Sequence, residues 1–365
     1  MSEKTNLCPV NSYNEWDPLE EVIVGRPAGA AIPGWDTIEE VIVSPGEWEE
    51  IVEHFGGQYG APYPQEIIEA AQQELAEFVH ILEAEGVKVR RPDVLSYSNS
   101  YKTPEWEVPT GFCAANPRDV FLVIGNEIIE APMADRNRYF EAWAYRSLLK
   151  EYFQAGAKWT AAPKPQLSDA LYDPDYRLPE PGEDMRFIIT EFEPTFDAAD
   201  FVRCGRDIFG QKSHVTNDLG IEWLRRHLGD EYRIHILETR DRHAIHIDTT
   251  FVPLAPGKVL VNPEFLDPEK LPPILKNWDI LIAPEPAYVP KELLNVLSPW
   301  ISINVLMLDE ERVIVEKEQE PLIKALKEWG FKPIPCSFKH HYPFAGAFHC
   351  ATLDVRRRGE LKSYF

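Results

Sequence analysis

Three aspartates, a histidine and a cysteine stand at comparable places along this chain. Asp119, Asp197 and Asp248 each precede a short apolar hairpin, and Cys350 precedes another apolar strand. His246 lies two residues before Asp248, in a His-Ile-Asp run. On a strand, residues i and i+2 share a face, so His246 and Asp248 are expected to look the same way. A thiol activated by a histidine, with an acid to orient that histidine, is the arrangement of covalent nucleophilic catalysis. Further carboxylates in the same pocket suit a planar cation such as a guanidinium, which pairs with them in bidentate fashion.

Each residue also has a plainer reading. An aspartate at a strand end is commonly a turn or cap residue, and a buried cysteine is commonly an inert small hydrophobe. His349 adjoins Cys350, but neighbours on a strand face opposite ways, which makes it a poorer base than His246. A metal centre is the rival chemistry. Cys336, His340, His341, His349 and Cys350 cluster in sequence, and His243 and His246 could join them. Their spacings match no common zinc pattern and include neither HExxH nor CxxC, so no metal is expected. No GxGxxG or GxxxxGK[ST] stretch points to a nucleotide. The basic run 354–359 is expected to pair with nearby acids.

The elements that must position these residues repeat. The unit is two apolar strands joined by a tight turn, then a helix, then another strand. One copy runs from the hairpin 119–132, turning at Gly125, through a helix over 138–156 to a strand at 158–163. A second turns at Gly205 and continues with a helix over 217–229 and a strand over 232–238. A third turns at Gly257, with a short helix over 267–278 and a strand over 279–284. A fourth spans 302–338. The fifth is split: a strand at 20–25, a helix at 65–85 with a clear 3.6-residue apolar period, and a strand after Gly86. Its missing strand is supplied if 350–356 pairs with 20–25, which closes the chain into a ring of five units. Residues 1–365 then form one α/β domain, with equivalent strand ends converging on the axis. The stretches 26–64 and 93–118, rich in Pro, Gly, Ser and Tyr, read as loop insertions over one face.

Composition bounds the partners. The chain has 365 residues, 44% hydrophobic and 27% charged, the balance of a globular protein. Its formal net charge of −23 repels phosphate backbones, so nucleic acid is not an expected partner. No apolar run approaches the roughly 20 residues of a membrane span, and no targeting peptide is evident at residues 1–12. Five cysteines at irregular spacing point to reduced thiols and a cytoplasmic setting.

These segments resemble the arginine amidinotransferases, the group of glycine and inosamine-phosphate amidinotransferases. The resemblance covers nearly the whole chain. It is carried by 14–25, 117–134, 156–165, 192–209, 246–251, 303–310 and 348–359. It implies the pentein α/β propeller, five ββαβ units about a pseudo-fivefold axis. It also implies transfer of an amidino group from L-arginine to a primary amine, with release of ornithine and no cofactor. Cys350 then matches the nucleophile, His246 the general acid and base, and Asp197 its orienting carboxylate. Asp119 and Asp248 match the carboxylates that hold the guanidinium, and Ser298 matches a residue at the amino-acid end of the substrate. Relatives are often homodimers. The chain departs from the family where an arginine usually grips the substrate carboxylate: that position is Phe265. His243 and Ile245 stand where the glycine enzymes place Asn and Met, bordering the acceptor. The loop before Cys350 reads Pro343, Phe344, Ala345, Gly346, Ala347 in place of a glycine-rich run. These changes leave the acceptor open between glycine and a larger amine, such as an amino acid, a diamine or a natural-product intermediate. Hydrolysis by a deiminase of the same fold, and a non-catalytic binding role, are the alternatives.

Overall fold

The computed structural model describes residues 8–34, 36–43, 49–50, 53, 60–180, 182–288 and 298–365. Five three-stranded sheets carry the fold, each an antiparallel strand pair extended by a parallel third strand. The first sheet joins the two ends of the sequence. Strand β1 (Leu19–Val24) runs antiparallel to β15 (Thr352–Arg357), with Val24 opposite Thr352, and parallel to β2 (Lys88–Arg90). The pairing expected between the N-terminal strand and 350–356 is therefore present.

The other sheets follow in sequence. They are β3 (Phe121–Ile124), β4 (Glu127–Glu130) and β5 (Lys158–Ala161); then β6 (Phe201–Cys204), β7 (Asp207–Gln211) and β8 (Arg233–Leu237). Next come β9 (Phe251–Ala255), β10 (Lys258–Val261) and β11 (Asp279–Ile282), and finally β12 (Leu306–Met307), β13 (Arg312–Glu316) and β14 (Lys332–Cys336). The predicted turn glycines Gly125, Gly205 and Gly257 all have positive φ, a conformation that glycine adopts without a Cβ penalty.

A parallel third strand needs a crossover, and helices supply it in four units. They are α1 (Gln65–Ala84), α2 (Arg146–Gln154), α3 (Asp218–Leu228) and α4 (Glu320–Glu328). On α1, Ile68, Ala71, Leu75, Phe78 and Leu82 are buried along one stripe. The crossover expected as a helix over 267–278 is instead two single 3₁₀ turns, Pro268–Lys270 and Pro273–Leu275. Pro268, Pro272 and Pro273 remove the amide donors that a continuous helix would need. The helix expected over 138–156 is α-helical only from Arg146, after 3₁₀ turns at 136–138 and 141–145.

Burial grades across each sheet. The four residues of β3 and the five of β9 are all buried, whereas the third strands β5 and β11 are half-exposed. Three units meet on one buried ionic cluster. Arg203 on β6 binds Glu15 at 2.8 Å and Asp354 at 2.9 Å, and Arg118 and Arg357 reach the same Asp354 at 2.7 and 2.8 Å. Arg203 also donates to the Val123 carbonyl on β3 at 3.0 Å. The cluster fixes the ends of β3, β6 and β15 together, and the site residues stand beside those ends. The basic run ends in ion pairs, as expected: Arg356 with Glu20 and Arg357 with Asp354. Among the described residues no helix is long and apolar enough to cross a membrane.

Candidate active site

Cys350 sits in the turn immediately before β15 and is 3% exposed. Two groups face its sulfur. Asn304 Nδ2 donates to Sγ at 3.1 Å, and Sγ donates to Asp248 Oδ2 at 3.3 Å. The Asn304 side chain also accepts from the His349 and Cys350 amides at 2.9 and 3.2 Å, so it clamps the turn as well as the thiol. Burial, then the charges of Asp248 and Asp119, push the Cys350 thiol well above its ordinary range.

His246 lies in a loop, as does Asp248, so the expected shared strand is absent. The four residues from His246 to Thr249 include a turn that leads into β9, and the turn delivers the two side chains to different partners. His246 Nε2 lies 3.1 Å from Asp197 Oδ2, and Nδ1 lies 3.8 Å from Asp119 Oδ1. Burial works against the imidazolium, but Asp119, Asp197 and Asp200 outweigh it and raise His246 to about 10. Asp248 instead accepts from His349 Nδ1 at 2.9 Å. That contact, with His246 and Cys350, holds Asp248 below its ordinary value even though burial opposes it. His349 is also on a turn, not a strand, so the alternation argument does not apply to it. Its Nδ1 lies 2.9 Å from Asp248 and its Nε2 3.4 Å from Glu15.

Asp119 is on the one-turn helix Pro117–Val120, and Asp197 stands just before the 3₁₀ turn Ala198–Asp200. Each keeps one buried oxygen, Oδ1, with no hydrogen-bond partner among the described residues. Burial raises Asp119 despite His246 and Arg138 beside it. Arg138 is a resident guanidinium. It bonds both oxygens of Glu141 at 2.9–3.2 Å, reaches Asp119 Oδ2 at 2.8 Å and lies 3.8 Å from Asp197. Asp200 stands behind: it accepts from Ser213 and Thr216, and Thr216 Oγ1 in turn accepts from the Asp197 amide at 3.2 Å.

A cavity opens onto His246, Asp197 and Ile245. The two loop stretches supply much of its wall: Ile32, Ile38 and Ile42 from the first, Phe112 from the second. The part of the first stretch over 44–48, 51–52 and 54–59 lies outside the described residues. Of the predicted residues, His243, Phe265 and Ser298 do not line this cavity, and neither do Asp119, Asp248 and Cys350. His243 is exposed and its Nδ1 lies 2.7 Å from the Val41 carbonyl, beside a separate groove. Phe265 packs with Val252, Leu254 and Trp300 in the core. Ser298 is half-buried, and its Oγ accepts from the Trp300 amide at 3.2 Å. Among the described residues no group of three or more His, Cys, Asp or Glu side chains has the geometry to hold a metal.

Sequence reasoning missed Asn304, Arg138, Glu141 and Asn116. Asn304 had a signal: it stands just before β12, the place that Asp119, Asp197, Asp248 and Cys350 occupy in the other units. Asn116 donates to the Phe344 and Ala345 carbonyls at 2.6 and 3.2 Å, which ties down the loop ahead of the cysteine.

A buried thiol bonded to Asp248, and a histidine held by Asp119 and Asp197, form an arrangement suited to a cationic, electrophilic substrate. The comparisons agree. The chain is 53% identical over 356 residues to L-arginine:L-lysine amidinotransferase of Pseudomonas savastanoi pv. phaseolicola, covering 98% of this chain and 96% of that one. It is 48% identical to mitochondrial glycine amidinotransferase of Xenopus tropicalis, over 98% of this chain and 85% of that one. Among solved structures it superposes on SxtG, an amidinotransferase of the saxitoxin biosynthetic pathway of Microseira wollei. The TM-score is 0.94 at 69% identity, covering 98% of this chain and all of that one. Inosamine-phosphate amidinotransferase of Streptomyces griseus matches with TM-score 0.86 at 38% identity, over 97% and 99% of the two chains. An arginine dihydrolase domain from cyanobacteria shares only the fold, at TM-score 0.58 and 16% identity. No protein-family model matches. The chain belongs to the amidinotransferase family and is a transferase of amidino groups, built on the pentein fold.

Proposed function

We propose that L-arginine is the amidino donor and that Cys350 carries the group between two half-reactions. The observation that carries this reading is the pair of unpartnered buried oxygens, Asp119 Oδ1 and Asp197 Oδ1, beside His246 and near a thiol. Two buried acceptors without donors are costly unless a substrate supplies the donors. A guanidinium has five N–H groups for them.

The resting thiol is protonated and His246 is charged. An arriving guanidinium, held by Asp119 and Asp248 with Asp197 Oδ1 as a further acceptor, places positive charge beside Sγ and lowers the cost of the thiolate. Sulfur attacks the guanidino carbon. The C–N bond to the ornithine side chain breaks, and His246 protonates the departing nitrogen. The thiol's proton replaces the one lost from the imidazolium, so the amidino-cysteine keeps one positive charge. An uncharged acceptor amine then attacks the same carbon as the C–S bond breaks; His246 gives its proton to the departing sulfur and takes one from the amine, which restores the thiol and the imidazolium in a ping-pong sequence. Asp197 holds the His246 ring in place throughout, and Ile245 borders the acceptor's path. The five units reading as a propeller about one axis accounts for the meeting of Asp119, Asp197, Asp248, Asn304 and Cys350 from five sheets. The whole chain then acts as one domain, with the five free cysteines in keeping with a reducing cytoplasm.

Incubation with arginine and no acceptor, followed by intact-mass measurement, tests the reading. The expected result is a gain of one amidino group, absent from Cys350→Ala, with stoichiometric ornithine. Accumulating citrulline without an adduct would make the protein a hydrolase. Neither product would remove arginine as the donor.

A further inference from the structure

The cavity that opens onto His246 has an acidic wall that the donor chemistry does not use. Glu39 and Asp135 line it together with Ile32, Ile42, Phe112 and Val215. Glu39 is 4% exposed and its Oε1 accepts from Asn137 Nδ2 at 2.8 Å. Its Oε2 is buried with no hydrogen-bond partner among the described residues. Asp135 Oδ1 accepts only from the Asn137 amide, at 2.7 Å. Among the described residues no Lys, Arg or His nitrogen lies within ion-pair distance of either carboxylate. The two arginines nearby are committed: Arg138 to Glu141 and Asp119, Arg136 to Asp169 and the Leu167 carbonyl. Arg136 also lies 3.4 Å from Asp36, a third acid at this end.

Arg138, Asp197 and His246 also line the cavity and Arg138 acts on Asp135, so the atom left without a donor is Glu39 Oε2, and a buried carboxylate oxygen in that position is unfavourable in an empty protein. Burial pushes both upward: Asp135 and Asp36 add to it at Glu39, and Asp36 and Asp197 add to it at Asp135, which reaches about 7 against the opposing charge of Arg138. A cation entering the cavity would supply the missing partner. It does not come from the carboxylate end of an amino acid, which these acids would repel. The donor's guanidinium is already assigned to the carboxylates beside Cys350.

We propose that Glu39, supported by Asp135, reads a second cationic group on the acceptor: the acceptor is a primary amine that carries a further ammonium or guanidinium across an apolar spacer. Glu39 is then a specificity-determining residue, and glycine, with its single amine and a carboxylate, is a poor fit. The proposal rests on the arginine-donor reading above, and one experiment separates the two.

Wild-type protein is loaded with arginine, freed of excess, and checked by intact mass. It is then mixed with α,ω-diamines of three to six carbons, with the matching n-alkylamines, and with the matching ω-amino acids. Loss of the amidino adduct is followed in time. A charge-assisted hydrogen bond of the usual strength gives roughly a tenfold or greater preference. At least one diamine is therefore expected to discharge the enzyme about tenfold faster than its alkylamine. Glu39→Gln is expected to erase most of that ratio, and Asp135→Asn to reduce it; the ratio is read within each variant, so a general loss of activity does not mimic the effect. The proposal falls if no diamine outruns its alkylamine, if ω-amino acids are the faster class, or if the preference survives both substitutions. Failure of the wild type to load at all would overturn the donor reading itself, and this proposal with it.

Discussion

The charge state of His246 rests on Asp119, Asp197 and Asp200, and Asp197→Asn removes the one that is hydrogen-bonded to its ring. His246 is held at about 10 against an ordinary value near 6.5, which corresponds to about 5 kcal/mol in favour of the imidazolium. Asp197 Oδ2 lies 3.1 Å away. At an effective dielectric constant of about 20, a unit charge pair at that separation contributes about 5 kcal/mol. Asp119 at 3.8 Å and Asp200 raise His246 as well, so the loss of Asp197 removes a large share of the shift and leaves the rest against the burial cost. Asparagine keeps the shape and one hydrogen bond but removes the charge. The imidazolium of the variant is expected to titrate near neutrality. At pH 8 on the order of a tenth or less then remains protonated, and amidino-cysteine formation slows by roughly 10- to 100-fold. The loss is conditional. Because the thiol titrates in both proteins, the informative quantity is the ratio of variant to wild type. Quenched-flow intact-mass measurements from pH 6 to 9 should show that ratio rising as pH falls. A ratio that stays flat, or rises with pH, would refute the claim that Asp197 acts by holding the proton on His246.

Three further outcomes are expected. Asn304→Ala removes the donor to Cys350 Sγ and two amide contacts in its turn, and should lower the rate of amidino-cysteine formation roughly 10²-fold with little change in arginine affinity; a matching loss of affinity would show that Asn304 serves binding instead. Gly346→Ala places a Cβ 2.5 Å from Asn116 Oδ1 and 2.7 Å from the Cys350 Cβ, so the nucleophile must shift, and turnover should fall by a comparable factor while the melting temperature changes little. Asp354→Asn breaks a buried cluster with three arginines and should cost about 3–5 kcal/mol in chemical denaturation. The Asp354 carboxyl lies below its ordinary range in the folded protein, because Arg118, Arg357 and Arg203 overcome the burial penalty. Its contribution is therefore present above about pH 4 and lost as pH falls below that, so the gap in stability between wild type and variant should narrow on acidification; a gap independent of pH would refute the assignment.

What the sequence disclosed follows from how local its signals are. The hairpins were legible because Gly125, Gly205 and Gly257 occupy turns that demand positive φ. The α1 stripe was legible because its apolar period is sustained over 20 residues. The same periodic argument failed at 267–278, where apolar spacing was present but three prolines excluded a helix. Cys350, His246 and the three aspartates stood out by residue type at repeated positions. Asn304 stood at the equivalent position, yet an amide carries no charge to single it out, and its partner in the turn is 46 residues away. Arg138 and Glu39 were hidden for the opposite reason. Glu39 falls in a stretch read as loop and Arg138 at the start of an expected helix, and charged residues in either place ordinarily face solvent. His246 and Asp248 were expected to share a strand face; they lie instead in a loop and its turn, and their side chains meet different partners.

The pairing of β1 with β15 has a kinetic consequence. A turn that presents the nucleophile is anchored by a strand whose partner lies more than 300 positions earlier in the chain. Contacts of such long sequence separation must close a very large loop, and they form slowly compared with the hairpins of the other sheets. Intermediates in which β3 to β14 are already assembled therefore lack a positioned thiol. A refolding experiment that follows secondary structure and arginine-dependent adduct formation side by side should find the second trailing the first, because reactive chemistry waits for the two distant segments to meet.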